Sequence, residues 1–197
     1  MIRNHVRQHN RSGRLARSLA FPLLILGLLV MAACGGAAQA AKTPAQQAND
    51  LVNAGVKAQA AGLTTQAADN YHKALSLDPR NKFAYFDLGV IDQTAGRNAT
   101  AELEYRTAIQ YDPNFVGALY NLAVLRADTA ATEAIDLYRK VIAVQPSYAA
   151  AHLNLGFLLI AANQKPQGKA ELDRAVTLDP AYASRIPASL KTTATKP

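Results

Sequence analysis

Few side chains in this 197-residue chain are of a kind that does chemistry, and their spacing keeps them apart. Cys34 is the only cysteine, so its thiol has no intramolecular disulfide partner. It stands at the end of an apolar run from Leu19 to Ala33. His72 and His152 are the only histidines beyond that run, 80 residues apart, too sparse a set for a metal or acid–base centre. Asp78, Asp112 and Asp179 each precede a proline, where a carboxylate accepts from the next backbone N–H groups, so turn chemistry accounts for them. Gly35-Gly36 lacks the flanking strand and helix that make a phosphate loop. The expectation is therefore no catalytic centre, no cofactor and no bound metal.

What positions these residues is a repeat. Leu77-Asp78-Pro79, Tyr111-Asp112-Pro113, Val144-Gln145-Pro146 and Leu178-Asp179-Pro180 recur with prolines 34, 33 and 34 residues apart. Proline lacks an N–H and bars helical geometry at the residue before it, so each triplet ends a helix. A fixed period of this length means stacked supersecondary units. Ala74, Ala108, Val141 and Ala175 lie five residues before their prolines. Three residues earlier stand Tyr71, Tyr105, Tyr138 and Leu172, and four earlier again Ala67, Ala101, Ala134 and Gly168. The 3-and-4 spacing places them on one helical stripe. A second stripe recurs upstream in Leu51-Ala54-Gly55, Tyr85-Leu88-Gly89, Leu119-Leu122-Ala123 and His152-Leu155-Gly156. Each unit then holds two antiparallel helices of about 14 residues, about 21 Å long. His152 fills a packing position in this register.

The pattern resembles the tetratricopeptide repeat, a 34-residue helix–turn–helix unit. The second unit carries it in Tyr85, Leu88-Gly89, Ala101, Tyr105, Ala108 and Pro113. It departs at the first-helix aromatic, replaced by Asp92 here and by Ala58, Arg126 and Leu159 in the other units. The third unit is one residue short in its inter-helix turn, and the fourth has Gly168 where alanine is usual. The resemblance implies an all-α protein, a right-handed α-solenoid of four units at 48–81, 82–115, 116–148 and 149–182. Thr43-Pro44-Ala45-Gln46 reads as a helix start one turn before the first unit. The tail, 183–197, is expected to be mostly disordered. Alternatively, Ile186 and Leu190 fold back on the last helix; otherwise the end stays open to self-association.

In this family the first helices line a concave groove where partners bind. The resemblance thus assigns a partner-binding groove to Val52 and Val56 in the first unit and Phe83, Phe86 and Val90 in the second. Tyr120, Asn121 and Val124 follow in the third, and Leu153, Asn154, Phe157 and Ile160 in the fourth. Asn53 and Asp87 occupy the amide positions of the first two units. Apolar residues with one amide or carboxylate per unit suit a peptide ligand. Asparagine at this place has a competing role, bonding to a neighbouring helix. Recognition of a peptide's terminal carboxylate, which needs lysines and arginines in the groove, is not expected.

The N-terminus reads as an export signal. Arg3, Arg7, Arg11, Arg14 and Arg17 precede the apolar run, with no acidic residue among them, and small residues follow it. Ala32-Ala33-Cys34 resembles the lipobox of bacterial lipoproteins, with Met31 in place of the usual leucine. This implies lipidation at Cys34 and a flexible linker over 34–43. The alternatives are cleavage after Ala38-Gln39-Ala40, giving a secreted protein, or an uncleaved anchor, for which 15 apolar residues are short. The five arginines also explain the charge. The net of +7 comes from 21 basic and 14 acidic residues; without the leader, 16 face 14, a net of +2. Nucleic-acid binding, which needs a clustered basic face, is not indicated.

The expected protein is an exported repeat array at the outer face of a bacterial cell membrane, binding a protein or peptide as a scaffold or assembly factor. A secreted or envelope protein that binds glycans or peptidoglycan is the alternative. In that case Phe86 and Tyr120 would stack on sugars.

Overall fold

A computed structural model describes residues 41–191; the expected export signal, Cys34 and most of the proposed linker lie outside the described residues, as do 192–197. Eight helices run in order: α1 (Pro44–Ala60), α2 (Thr64–Leu77), α3 (Lys82–Thr94), α4 (Asn98–Tyr111), α5 (Val116–Arg126), α6 (Ala131–Val144), α7 (Ala149–Ala161) and α8 (Lys165–Leu178). Two 3-10 turns, Pro180–Arg185 and Ala188–Leu190, follow. The helices pair as α1–α2, α3–α4, α5–α6 and α7–α8, and each pair packs on the next. This is an α-solenoid of helix–turn–helix units.

Local chemistry sets the helix ends. At the start of α1 the Thr43 hydroxyl accepts from the Gln46 N–H at 3.2 Å, and the Gln46 side chain accepts from the Thr43 N–H at 2.8 Å. This capping box satisfies two donors that a helix start leaves open. At the other ends, Asp78, Asp112 and Asp179 accept from the N–H two residues on, at 3.1, 3.0 and 3.0 Å, so these carboxylates make turns. Gly62 and Gly96 turn the chain between paired helices at φ 75° and 76°, where a side chain would be strained.

The tyrosine stripe forms the core. Tyr71, Tyr105, Tyr138 and Leu172 are buried, together with the alanines four residues before and three after the first two. They press against the small residues of the partner helix. A Cβ on Gly89 would lie 2.6 Å from a ring carbon of Tyr105, and one on Gly168 would lie 2.7 Å from the Gly156 carbonyl oxygen. The close approach of paired helices therefore depends on glycine. Ala54, placed on the stripe by its spacing, is exposed, since among the described residues no unit precedes the first.

The tail departs from expectation. Residues 183–191 are not disordered: Ile186 is buried among Leu153, Leu172 and Ala175, and Tyr182 and Leu190 pack on the same cluster. The apolar end that would invite self-association is covered by the chain's own tail, as solenoid ends require.

Candidate functional site

The groove residues fall into three groups. Val56, Phe83 and Val124 are 48, 46 and 40 % exposed, a large share for apolar side chains on a helix face. Val52 and Phe86, with Val56, Phe83 and the neighbouring Phe115, line a cavity of about 510 Å³ between α1 and α3, whose polar members are Asn49, Asn53 and Asp87. A smaller cavity of about 230 Å³ lies between α5 and α7, lined by Val124, Tyr138, Asn154 and Phe157 among others. The remaining residues build the array. Leu153 is fully buried against Leu172 and Ile186, so it does not face a partner. Ile160 meets Gly168 where α7 crosses α8, and Val90 packs against the central core. Their spacing fits the groove stripe, but neighbouring elements cover them.

Phe86 and Tyr120 are also only half-buried wall residues. The Phe86 ring sits 5.1 Å from Phe115 and 6.0 Å from Tyr105, and Tyr120 sits 5.0 Å from Tyr148 and 5.7 Å from Tyr138. Each thus clamps its unit to the aromatic that precedes the next one. Phe115 and Tyr148 were not among the expected site residues. Their 33-residue spacing, immediately before α5 and α7, was the available signal. Phe86 and Tyr120, assigned to the groove by the resemblance, thus also pack within the array.

The asparagines are inter-unit ties. The Asn121 amide donates to the Tyr105 hydroxyl at 3.3 Å, and Asn154 donates to both Tyr138 and Tyr120 at 3.1 Å. Tyr71 and Tyr105 pass their own protons to Gln59 and Gln93 at 3.0 and 2.7 Å. Burial raises the three tyrosines to about 12. Asp87 holds the equivalent place in α3, and burial pushes its carboxyl up to about 6. His152 is buried with both ring nitrogens on acceptors: Glu171 at 2.6 Å and the Pro146 carbonyl at 3.0 Å.

In the second and third units, charges stand where the repeat pattern lacks its aromatic. Asp92 is bound by Arg97, with Nε at 2.7 Å, and Glu104 beside it is pushed up to about 7 by burial and then by the Asp92 charge. Arg126 bridges Glu102 and Glu133 at 3.1 and 3.0 Å, and Arg106 bridges the same two at 2.9 and 2.6 Å. Burial opposes ionisation of Glu133, yet the two arginines hold it below the ordinary carboxylate range. This network borders a cavity of about 870 Å³ on the second-helix side between α4 and α6. Its Arg106 and Glu133 are already engaged with each other, and Asp136 and Lys140 also line it. Among the described residues no three His, Cys, Asp or Glu side chains gather as a metal site, and no helix is long and apolar enough to cross a membrane.

A tetratricopeptide repeat family profile matches residues 125–186. No curated protein matches the chain. Solved structures do. MamA from Desulfovibrio magneticus RS-1 is 19 % identical with a TM-score of 0.60, over 68 % of this chain and 76 % of that one. PilF of Pseudomonas aeruginosa is 23 % identical with a TM-score of 0.61, over 75 % and 65 %. The first repeat domain of Spaghetti (RPAP3), bound to the HSP90 peptide SRMEEVD, is 23 % identical with a TM-score of 0.57, over 61 % and 97 %. At these identities the likeness speaks for the fold, and it agrees with the repeat period: residues 41–191 form a tetratricopeptide-type α-solenoid.

Proposed function

We propose that this chain is an exported, membrane-attached scaffold that binds a segment of another protein along the face formed by its first helices. The observation that carries the binding role is the set Val56, Phe83 and Val124, left 40–48 % exposed beside two cavities on that face. Apolar side chains held half-open on a rigid wall are what a partner's side chains dock against. The similar RPAP3 domain holding a peptide supports the same use of the fold. Export and attachment rest on the arginine-rich leader, the apolar run and Cys34, whose acylation with two or three chains would give stable anchoring. The glycan alternative is less favoured, since the rings of Phe86 and Tyr120 are turned against other aromatics instead of presenting open faces.

The test is site-specific photocrosslinking in intact cells. A crosslinking amino acid at Val56 or Val124 should trap a protein, and one at Gln110, beside the second-helix cavity, should not. Trapping from Gln110 alone would move the binding surface to the other side. In the same cells, a fatty-acid analogue should label the wild type and leave Cys34→Ala unlabelled; equal membrane association of two unlabelled proteins would mean an uncleaved anchor.

A further inference from the structure

Asp87 breaks the polar pattern that runs through the array. At the same register, α5 has Asn121 and α7 has Asn154, and each amide donates to a buried tyrosine of the preceding unit. A carboxylate has no proton to give there. Tyr71, the tyrosine in question, donates to Gln59 instead. Asp87 is left with no hydrogen bond or ion pair among the described residues. It lies in the wall of the 510 Å³ cavity, beside Val52, Val56, Phe83 and Phe86. The nearest cation on its own helix, Lys82, is bound to Asp112 and lies over the rings of Phe83 and Phe115. It does not neutralise Asp87.

An unpaired carboxylate in an apolar wall is unfavourable for the folded protein alone, and an incoming cation relieves it. We propose that this cavity receives a lysine or arginine side chain of the bound segment, its methylene stem against Val52, Val56 and Phe86 and its cation on Asp87. The inference rests on the reading that the first-helix face binds protein. Charge complementarity selects the occupant. An acidic segment such as SRMEEVD, held by the similar RPAP3 domain, would meet Asp87 as a like charge.

The test uses the full chain and a random dodecapeptide phage library. Peptides enriched on the wild type should carry lysine or arginine next to apolar residues. A synthetic version should bind at least ten-fold tighter than its Lys→Gln or Arg→Gln counterpart, and Asp87→Asn should erase that difference. Asn is the residue of the next two units, so the fold is retained. Affinity for the wild type should also fall about 10-fold between pH 7.5 and 5, as Asp87 takes up a proton, and stay flat in Asp87→Asn. The titratable groups facing Asp87 are Tyr71 from α2 and Tyr105 from α4, both protonated throughout; α1 contributes the neutral Asn49 and Asn53. Peptides that bind equally well after the Gln exchange overturn the inference, and that comparison needs no protein variant. If Val56→Ser weakens binding but Asp87→Asn does not, the face binds peptide and only the basic pocket is wrong. If neither has an effect, or no peptide is enriched, both readings fall.

Discussion

Adding a single methyl group at Gly89 tests the register on which the architecture depends. The new Cβ would lie 2.6 Å from one ring carbon of Tyr105 and 2.8 Å from a second, well inside van der Waals contact. The ring has nowhere to go: Tyr105 is fully buried, and its hydroxyl is held by Gln93 at 2.7 Å and by Asn121 at 3.3 Å. Two effects oppose each other. Alanine favours the helix over glycine by about 1 kcal/mol. Overpacking costs about 1–3 kcal/mol, and weakening the two hydrogen bonds adds roughly 0.5–1.5 kcal/mol each. The net expectation for Gly89→Ala is a loss of about 1–5 kcal/mol. In a domain of this size that lowers Tm by roughly 2–20 °C, at about 2–4 °C per kcal/mol. Circular-dichroism melting and urea unfolding of the purified chain would measure it. The third unit supplies the comparison, since Ala123 occupies the same place against Tyr138. Ala123→Gly should therefore lose only helix propensity, about 1 kcal/mol, with no steric relief. A Tm for Gly89→Ala that is unchanged or raised would show that α3 and α4 can spread as α5 and α6 do, and that glycine is not what sets their spacing.

Other perturbations follow from the same contacts. Asp87 and Glu104 have folded pKa values of about 6 and 7, above the ordinary carboxylate range, so the fold binds their protons more tightly than the unfolded chain does. Their contribution is complete below about pH 4 and is lost as pH rises through 6–7, so stability should fall between about pH 4 and 7 by on the order of 1 kcal/mol after allowance for solvent screening. Asp87→Asn with Glu104→Gln should flatten that slope in a pH series of urea titrations. Phe86→Ser with Tyr120→Ser should destabilise the array by more than about 3 kcal/mol, because each ring packs against two other aromatic rings. Val56→Ser with Val124→Ser should leave melting nearly unchanged and reduce partner crosslinking, the opposite pattern. Arg126→Ala should cost about 1–2 kcal/mol in low salt and less in 1 M salt, as it breaks a four-charge network at half-exposed positions.

The sequence by itself determined the helix–turn–helix repeat. Proline and glycine act on their own backbone, so Pro79, Pro113, Pro146 and Pro180 end helices wherever they occur, and Thr43 with Gln46 caps one in the same way. The tyrosine and alanine stripes follow from helical periodicity, which assigns a residue to a face of its own helix. Periodicity does not say what the next unit places against that face. Asn53, Asp87, Asn121 and Asn154 share one register, yet Asn121 and Asn154 reach tyrosines 16 residues earlier, Asp87 reaches none, and Asn53 is exposed, with no unit before it among the described residues. Leu153 and Phe157 likewise share the first-helix stripe, but Ile186 folds back and buries Leu153 completely. Contacts between units depend on how helices stack across 16 or more residues of chain. Only the tertiary structure could separate the side chains that hold the array together from those left open for a partner.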